Sequence, residues 1–329
     1  MEEKAMMRAL LALDGRVGKL QAHIEALEKR LNELNGGVSI LGRPRPVPIH
    51  PDSIGKTMAA GGPVDLGGLT FLIHYRKDSA ERLQNLKTVY AFYKQAAVGS
   101  RFILIEDGVR TQIAGELGLG AEDAYLFLEN PGVWNKCAAF NLGLSRAETE
   151  VVCFHDADAV VAPAQLALGV ELLGADPAAA LIYPYDGRFY NVSPQVKAAF
   201  GAALDLGELE RHLPPERTVS TAEVAVLHTQ SVGGSVLGRR DNLLKAKGYN
   251  PHFQGWGWED YEMPERVAKL GYGVWRLAGG PLWHLPHEGP GASPREQSPY
   301  FRQNEAIYET VVRSSKEELE RYITGWRVG

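Results

Sequence analysis

Three stretches of the chain place acids, histidines and aromatic residues where they could act together. Asp156 and Asp158 close the apolar run Val151-Val152-Cys153-Phe154-His155. Two carboxylates separated by one residue point to the same side of an extended chain. Like charges converging there repel unless a cation or a donor group stands between them, so a divalent metal is the natural occupant. Taken alone, the pair is also what many solvated turns carry. The second stretch is Gly233-Gly234-Ser235 followed by Gly255-Trp256-Gly257-Trp258-Glu259-Asp260. Glycines among aromatics let the backbone approach a flat substrate while the rings supply stacking faces, which suits a sugar. Glu259 and Asp260 lie against that apolar surface, where a carboxyl pKa can be adjusted for base catalysis. A tryptophan-rich core with acids at a helix N-terminus would explain either acid singly, but less well the two glycines separating the aromatics. The third stretch is Trp283-His284-Leu285-Pro286-His287, with two histidines three apart like ligands on a turn. A lone histidine pair is more often ordinary surface. Joined to Asp158, these imidazoles would suit manganese better than magnesium, which favours oxygen ligands.

Such groups need a frame. From Leu69 the pattern runs strand, helix, strand: Leu69 to Tyr75 reads as a buried strand, Ser79 to Tyr93 as an amphipathic helix, and Arg101 to Ile105 as a second strand. Ala124 to Leu128 reads as another strand, Trp134 to Arg146 as a helix, and Glu150 to His155 as a further strand. Alternating units predict an α/β fold with a parallel sheet covered by helices. Ligands bind beyond the carboxyl ends of such strands, which here carry Arg76 and Asp78, Glu106 and Asp107, and Asp156 and Asp158. Phe301–Tyr322 reads as a charged surface helix.

The front of the chain is built differently. Leu10, Leu13, Val17, Leu20, Ile24, Leu27, Leu31 and Leu34 follow alternating steps of three and four, an unbroken heptad seam. β-Branched residues at two a positions with leucine throughout d favour a parallel dimer, so residues 1–35 read as a coiled-coil oligomerisation helix and residues 10–34 as its self-association seam. A helix packed on its own catalytic domain is the alternative. Asn35-Gly36-Gly37 ends the helix, and residues 36–68, rich in glycine and proline, read as a linker.

Composition bounds the rest. The 329 residues include 36 Gly, 19 Pro and 45% apolar residues, which excludes a mainly disordered or collagenous chain. The net charge of −5 gives no global drive toward nucleic acid or anionic membrane. Cys137 and Cys153 make no disulfide framework, and a reducing, cytoplasmic location is expected. The N-terminus lacks the apolar core of a secretory signal, and no apolar run reaches the roughly eighteen residues of a membrane span.

The order of motifs is more specific than any one of them. Trp134-Asn135-Lys136-Cys137-Ala138, Asp156-Ala157-Asp158, Gly233-Gly234-Ser235, Gly255-Trp256-Gly257-Trp258-Glu259-Asp260 and the pair His284 and His287 together resemble the β-1,4-galactosyltransferase superfamily and related bacterial polysaccharide glycosyltransferases. The likeness runs from about Leu69 to His287. It implies the GT-A glycosyltransferase fold, a Rossmann-like mixed sheet flanked by helices. Residues 69–329 would then form the catalytic domain, with a nucleotide-sugar half over 69–160 and an acceptor half over 161–329.

By position, the resemblance places His74, Tyr75, Arg76 and Asp78 at the uridine and phosphates, Asp107 at the nucleoside, and Asn135 and Lys136 near the diphosphate. It makes Asp158, His284 and His287 the metal ligands and puts Asp156 on ribose or donor sugar. Asp260 becomes the catalytic base, Glu259 a contact to sugar hydroxyls, and Trp256 part of a mobile loop over the donor. The sequence departs from the pattern at Tyr75-Arg76-Lys77-Asp78, which lacks the family's second arginine, and at Trp258, which replaces a glycine. Residues 183–227 match nothing assigned. The resulting expectation is a metal-dependent, inverting glycosyltransferase moving a hexose or N-acetylhexosamine from a UDP-sugar to a glycan, with Mn2+ preferred and Mg2+ the alternative. A protein or peptide acceptor, or a noncatalytic oligomeric glycan-binding scaffold, are the competing readings.

Overall fold

The computed structural model describes residues 45–47, 62–287 and 298–329. All of these belong to the unit Gly42–Gly329. The self-association seam over residues 10–34 lies outside them.

The described chain opens with three strands, β1 (Arg45–Val47), β2 (Val64–Asp65) and β3 (Leu69–Tyr75), then helix α1 (Ala80–Ala96). Strands β4 (Ala97–Val98), β5 (Arg101–Gly108) and β6 (Ala124–Glu129) lead to α2 (Lys136–Arg146). Next come β7 (Val151–Asp156), β8 (Ala159–Val160), α3 (Pro163–Ala175), β9 (Ala179–Tyr183) and β10 (Phe189–Val192). Helices α4 (Pro194–Ala203) and α5 (Gly207–Glu210) precede β11 (Val224–His228), β12 (Ser235–Arg239) and α6 (Arg240–Lys245). The chain then forms α7 (Glu259–Lys269), β13 (Gly273–Leu277), β14 (Leu282–His284), α8 (Phe301–Arg313) and α9 (Lys316–Ile323).

Eight strands form one twisted layer in the order β1-β13-β9-β12-β7-β3-β5-β6. The pattern of alternating units predicts an all-parallel sheet, but β12 runs antiparallel to both of its neighbours, β7 and β9. The sheet is therefore mixed, as the GT-A resemblance implies. Every residue of β3 is buried, which fits a central strand covered on both faces. A smaller sheet, β11-β10-β14-β8, stands at the site end of the molecule and carries His284.

Two features differ from the expected boundaries. Arg45–Val47, within the stretch expected to be a linker, pairs with β13 and ends the large sheet. Pro46 is compatible with that place because an edge strand leaves one side of its backbone unpaired. The C-terminal stretch is two helices instead of one. Ser315 breaks the run and caps the second helix, accepting from Glu318 N while Glu318 returns a bond to the Ser315 N–H.

Side-chain capping also fixes the two helices that follow the first strands. Ser79 Oγ accepts from Arg82 N at 3.1 Å, and Asn135 Oδ1 accepts from Ala138 N at 3.0 Å. These caps set α1 and α2 with their N-termini at the carboxyl ends of β3 and β5.

Candidate active site

Three clusters of polar side chains meet along the carboxyl ends of β3, β5 and β7. The first surrounds Asp107. Asp107 Oδ2 accepts from Asn135 N at 2.8 Å, and His74 Nε2 stands 3.4 Å from the same oxygen. Arg76 Nη1 lies 3.6 Å from Asp107 Oδ1, while its Nη2 donates to Gly132 O at 2.8 Å. The long contacts leave His74 Nε2, Arg76 Nη1 and Asp107 Oδ1 buried short of a full hydrogen bond. Trp134 covers the imidazole at 5.3 Å. Burial pushes the Asp107 carboxyl up, but bonds from His74 and Asn135 outweigh it and hold the group below the usual range. The result is a largely buried polar cluster with an indole beside it. Tyr75 does not present its hydroxyl there as part of a hydrogen bond, because that oxygen is buried without a partner. Asp78 pairs with Arg82 at 2.7 Å.

The second cluster is built on the turn after β7. Asp156 ends the strand and Ala157-Asp158 form a turn, so the extended conformation that would align both carboxylates does not persist. The two acids serve different neighbours. Asp158 is buried, with His287 Nε2 at 3.3 Å from Oδ2 and His284 Nε2 at 3.7 Å from Oδ1. One ligand atom from each of these three residues falls within 4.8 Å of the others. Oxygen and nitrogen ligands about 2.1 Å from one cation stand roughly 3–3.5 Å apart, so a single divalent metal would draw these three groups slightly closer together than the 3.3 and 3.7 Å seen here. Burial would raise the Asp158 carboxyl, yet His284, His287 and Arg82 hold it well below its ordinary value. Arg82 Nε lies 3.7 Å from Asp158 Oδ2.

Hydrogen bonds from several elements hold this cluster. Leu285 N donates to Asp158 O at 2.8 Å, and Asn85 Nδ2 on α1 donates to Leu285 O at 2.9 Å. His155, fully buried, donates from Nε2 to Ala159 O at 2.8 Å while Nδ1 faces Ser235 Oγ at 3.0 Å. Burial pushes its pKa down to about 4, so it is a neutral strut beneath the turn.

The third cluster joins α2, β7 and α7. Lys136 Nζ donates to Asp260 Oδ1 and Oδ2 at 2.9 and 3.0 Å and lies 3.7 Å from Asp156 Oδ1. Burial would lower the Lys136 pKa, but Asp156 and Asp260 raise it well above the ordinary value, keeping the ammonium charged. Burial raises the Asp260 carboxyl, Asp156 adds to that rise, and Lys136 opposes it. Gly233 permits this arrangement, since a Cβ there would come within 2.8 Å of Asp260 Oδ2. Glu259 is 3% exposed and accepts from Gly257 N at 2.8 Å. Burial, then the neighbouring Asp260, pushes its carboxyl up.

The loop before α7 is tied from behind. Trp258 adopts φ 72° and Gly257 φ 116°. Asn304 on α8 donates to Gln254 O at 2.9 Å, and Gly255 N donates to Trp134 O at 3.1 Å. Trp256 stacks on Phe301 at 6.2 Å and remains 42% exposed. Arg266, fully buried, pairs with Glu262 at 2.7 Å and donates to Gly248 O, which fixes α7.

The structure thus brings Asp158, His284 and His287 together, gathers Asp156, Lys136 and Asp260, and groups His74, Arg76, Asp107 and Asn135. It also adds residues that the motif reading does not contain. Arg82 is the clearest, and it had a signal: a cation in the first turn of a helix opposes the helix dipole. Asn85, Asn191, whose Oδ1 stands 2.7 Å from His284 Nδ1, and Lys197, whose Nζ donates to Pro286 O at 2.6 Å, had none, because their relation to the histidine loop is purely tertiary.

Residues 214–288 match the family model described as the N-terminal domain of galactosyltransferase, and residues 94–233 match the glycosyl transferase family 2 model. Among solved structures, GalNAc-T7 in complex with UDP, GalNAc and Mn2+ superposes with a TM-score of 0.50 at 16% identity, over 77% of this chain and 50% of that one. The present chain therefore spans about half the length of that protein. Glucosyl-3-phosphoglycerate synthase from Mycobacterium tuberculosis gives 0.47 at 15% identity, over 82% and 86% of the two chains. The catalytic domain of Drosophila β1,4-galactosyltransferase 7 gives 0.40 at 16% identity, over 75% and 81%. No curated protein sequence matches the chain. The fold is that of a GT-A glycosyltransferase, and the chain resembles galactosyltransferases. Among the described residues, no helix is long and apolar enough to cross a membrane.

Proposed function

We propose that this glycosyltransferase is metal-dependent and inverting, and moves a hexose or N-acetylhexosamine from a UDP-sugar to a glycan hydroxyl. The observation that carries the reading is the approach of Asp158, His284 and His287 to one another, beside a second cluster whose carboxylate, Asp260, is held by Lys136 and keeps 23% of its side-chain surface exposed. A divalent cation held by the three ligands would supply Lewis-acid neutralisation of the leaving diphosphate. The presence of two nitrogen ligands favours Mn2+ over Mg2+.

The chain's own residues account for the remaining steps. The pocket of His74, Arg76, Asp107 and Asn135 would take the nucleoside, with Trp134 as its wall. Arg82 would meet phosphate oxygens beside Asp158. Asp156 would orient donor hydroxyls. Asp260 would accept the proton of the acceptor hydroxyl while that oxygen attacks C1 from the face opposite the diphosphate. Lys136 keeps the Asp260 carboxylate ionised and fixed, and Glu259 holds the Gly257 turn so that Trp256 can cover the donor and limit hydrolysis. Residues 10–34 would pair two copies of the chain.

Incubating the protein with a panel of nucleotide sugars and Mn2+, with and without glycan acceptors, tests the reading. Acceptor-stimulated release of UDP is expected. No release with any UDP-sugar, together with no binding of Mn2+, would favour a noncatalytic scaffold.

A further inference from the structure

The segment 183–227 carries none of the motifs above, yet it supplies a residue to the metal site. Asn191 lies on β10, directly beside His284 on the parallel strand β14, and His284 lies beside Ala159 on β8. Three adjacent strands thus set Asn191, His284 and the residue after Asp158 in one row. Asn191 Oδ1 stands 2.7 Å from His284 Nδ1. The Phe189 ring, two residues earlier on the same strand, lies 5.6 Å from the imidazole and restricts its rotation from another side.

We infer that Asn191 is a positioning residue that holds His284 as an Nε2 metal ligand. An amide oxygen can only accept, so its contact with Nδ1 requires the proton on Nδ1 and leaves the Nε2 lone pair directed at Asp158 Oδ1. Two lone-pair-bearing atoms facing each other repel, and a cation between them removes the repulsion. Ligating histidines are commonly oriented by such a bond from the opposite ring nitrogen, and removing it weakens metal binding by about 10–100-fold. The inference rests on the proposed metal dependence, but it concerns how this chain achieves it. The segment 183–227 then contributes to the donor side of the reaction as well as to any acceptor surface.

Titration with Mn2+, followed by electron paramagnetic resonance of the free ion, tests the inference in the full-length chain. Asn191→Leu should bind Mn2+ about 10–100-fold more weakly than the wild type. Asn191→Asp keeps an acceptor at the same place and should retain affinity within about threefold. Equal affinity in Asn191→Leu and the wild type would overturn the inference, as would a loss in Asn191→Asp matching that in Asn191→Leu, which would mean that the amide donates to His284. Should Asn191→Leu fail to fold, the imidazole nitrogen shifts of His284 in the wild type decide: a proton on Nδ1 supports the inference, and a proton on Nε2 overturns it. Failure of the wild type to bind Mn2+ would remove the proposed metal dependence and this inference together, whereas binding by the wild type with no effect of either variant would remove the inference alone.

Discussion

Lys136 Nζ grips both carboxylate oxygens of Asp260, at 2.9 and 3.0 Å, across 124 positions of sequence. The same ammonium lies 3.7 Å from Asp156. One cation therefore sits between an acid of the Asp-Ala-Asp turn and the acid offered as the base. In the proposed mechanism this keeps the half-buried carboxylate deprotonated and in place.

The contact has a kinetic consequence. Burial raises the Asp260 pKa, and Lys136 counters it. A base must be deprotonated, so transfer should fall as pH drops through that raised pKa. Lys136→Gln removes the counter-charge, and the acidic limb of kcat/KM should move upward by about 1–3 pH units. Lys136→Arg should keep the limb near its wild-type position. If Lys136 acts on the diphosphate instead, Lys136→Gln should raise the donor KM and leave the limb unmoved.

Gly233 offers a steric test. A methyl group there would come within 2.8 Å of Asp260 Oδ2. Gly233→Ala should displace the carboxylate and lower kcat by about 10–100-fold, while binding of Mn2+ is unchanged. Wild-type kcat in this variant would show that the position of Asp260 is not critical.

Metal dependence predicts its own pattern. Chelation should abolish transfer, and Mn2+ should restore it better than Mg2+. Asp158→Asn should weaken Mn2+ binding by about 10-fold or more, because the amide cannot supply the carboxylate's charge. Full activity after exhaustive chelation would contradict the ligand assignment.

His155 tests the foundation beneath the turn. Burial lowers its pKa to about 4. A histidine whose folded pKa lies below its unfolded value binds more protons when unfolded, so its contribution lowers stability as pH falls from about 6.5 toward 4. Imidazole proton shifts should give a midpoint near 4 for His155. A midpoint above 6 would mean that the ring is not sealed between Ser235 and Ala159.

Much of the frame is legible in local sequence. The apolar run Leu69 to Tyr75 could only be a buried strand, and Ser79 and Asn135 announce their helices by capping chemistry. The antiparallel course of β12 is not legible, because nothing in the short run Ser235 to Arg239 marks the direction in which it pairs. The candidate acids and histidines stand out by type and order. Their pairing does not: whether Asp156 turns toward Lys136 or toward His287 depends on a turn at Ala157 that an extended reading misses. Asn191 is invisible for a related reason, since only the register between β10 and β14 sets it beside His284.

The most direct measurement is glycosyl transfer by Asp260→Asn, made alongside Mn2+ and UDP binding by the same variant. With Asp260 as the base, transfer should fall by about 10²–10⁴-fold, the usual contribution of a general base, with both binding affinities nearly intact. Transfer at close to the wild-type rate would contradict the assignment of Asp260 as the base.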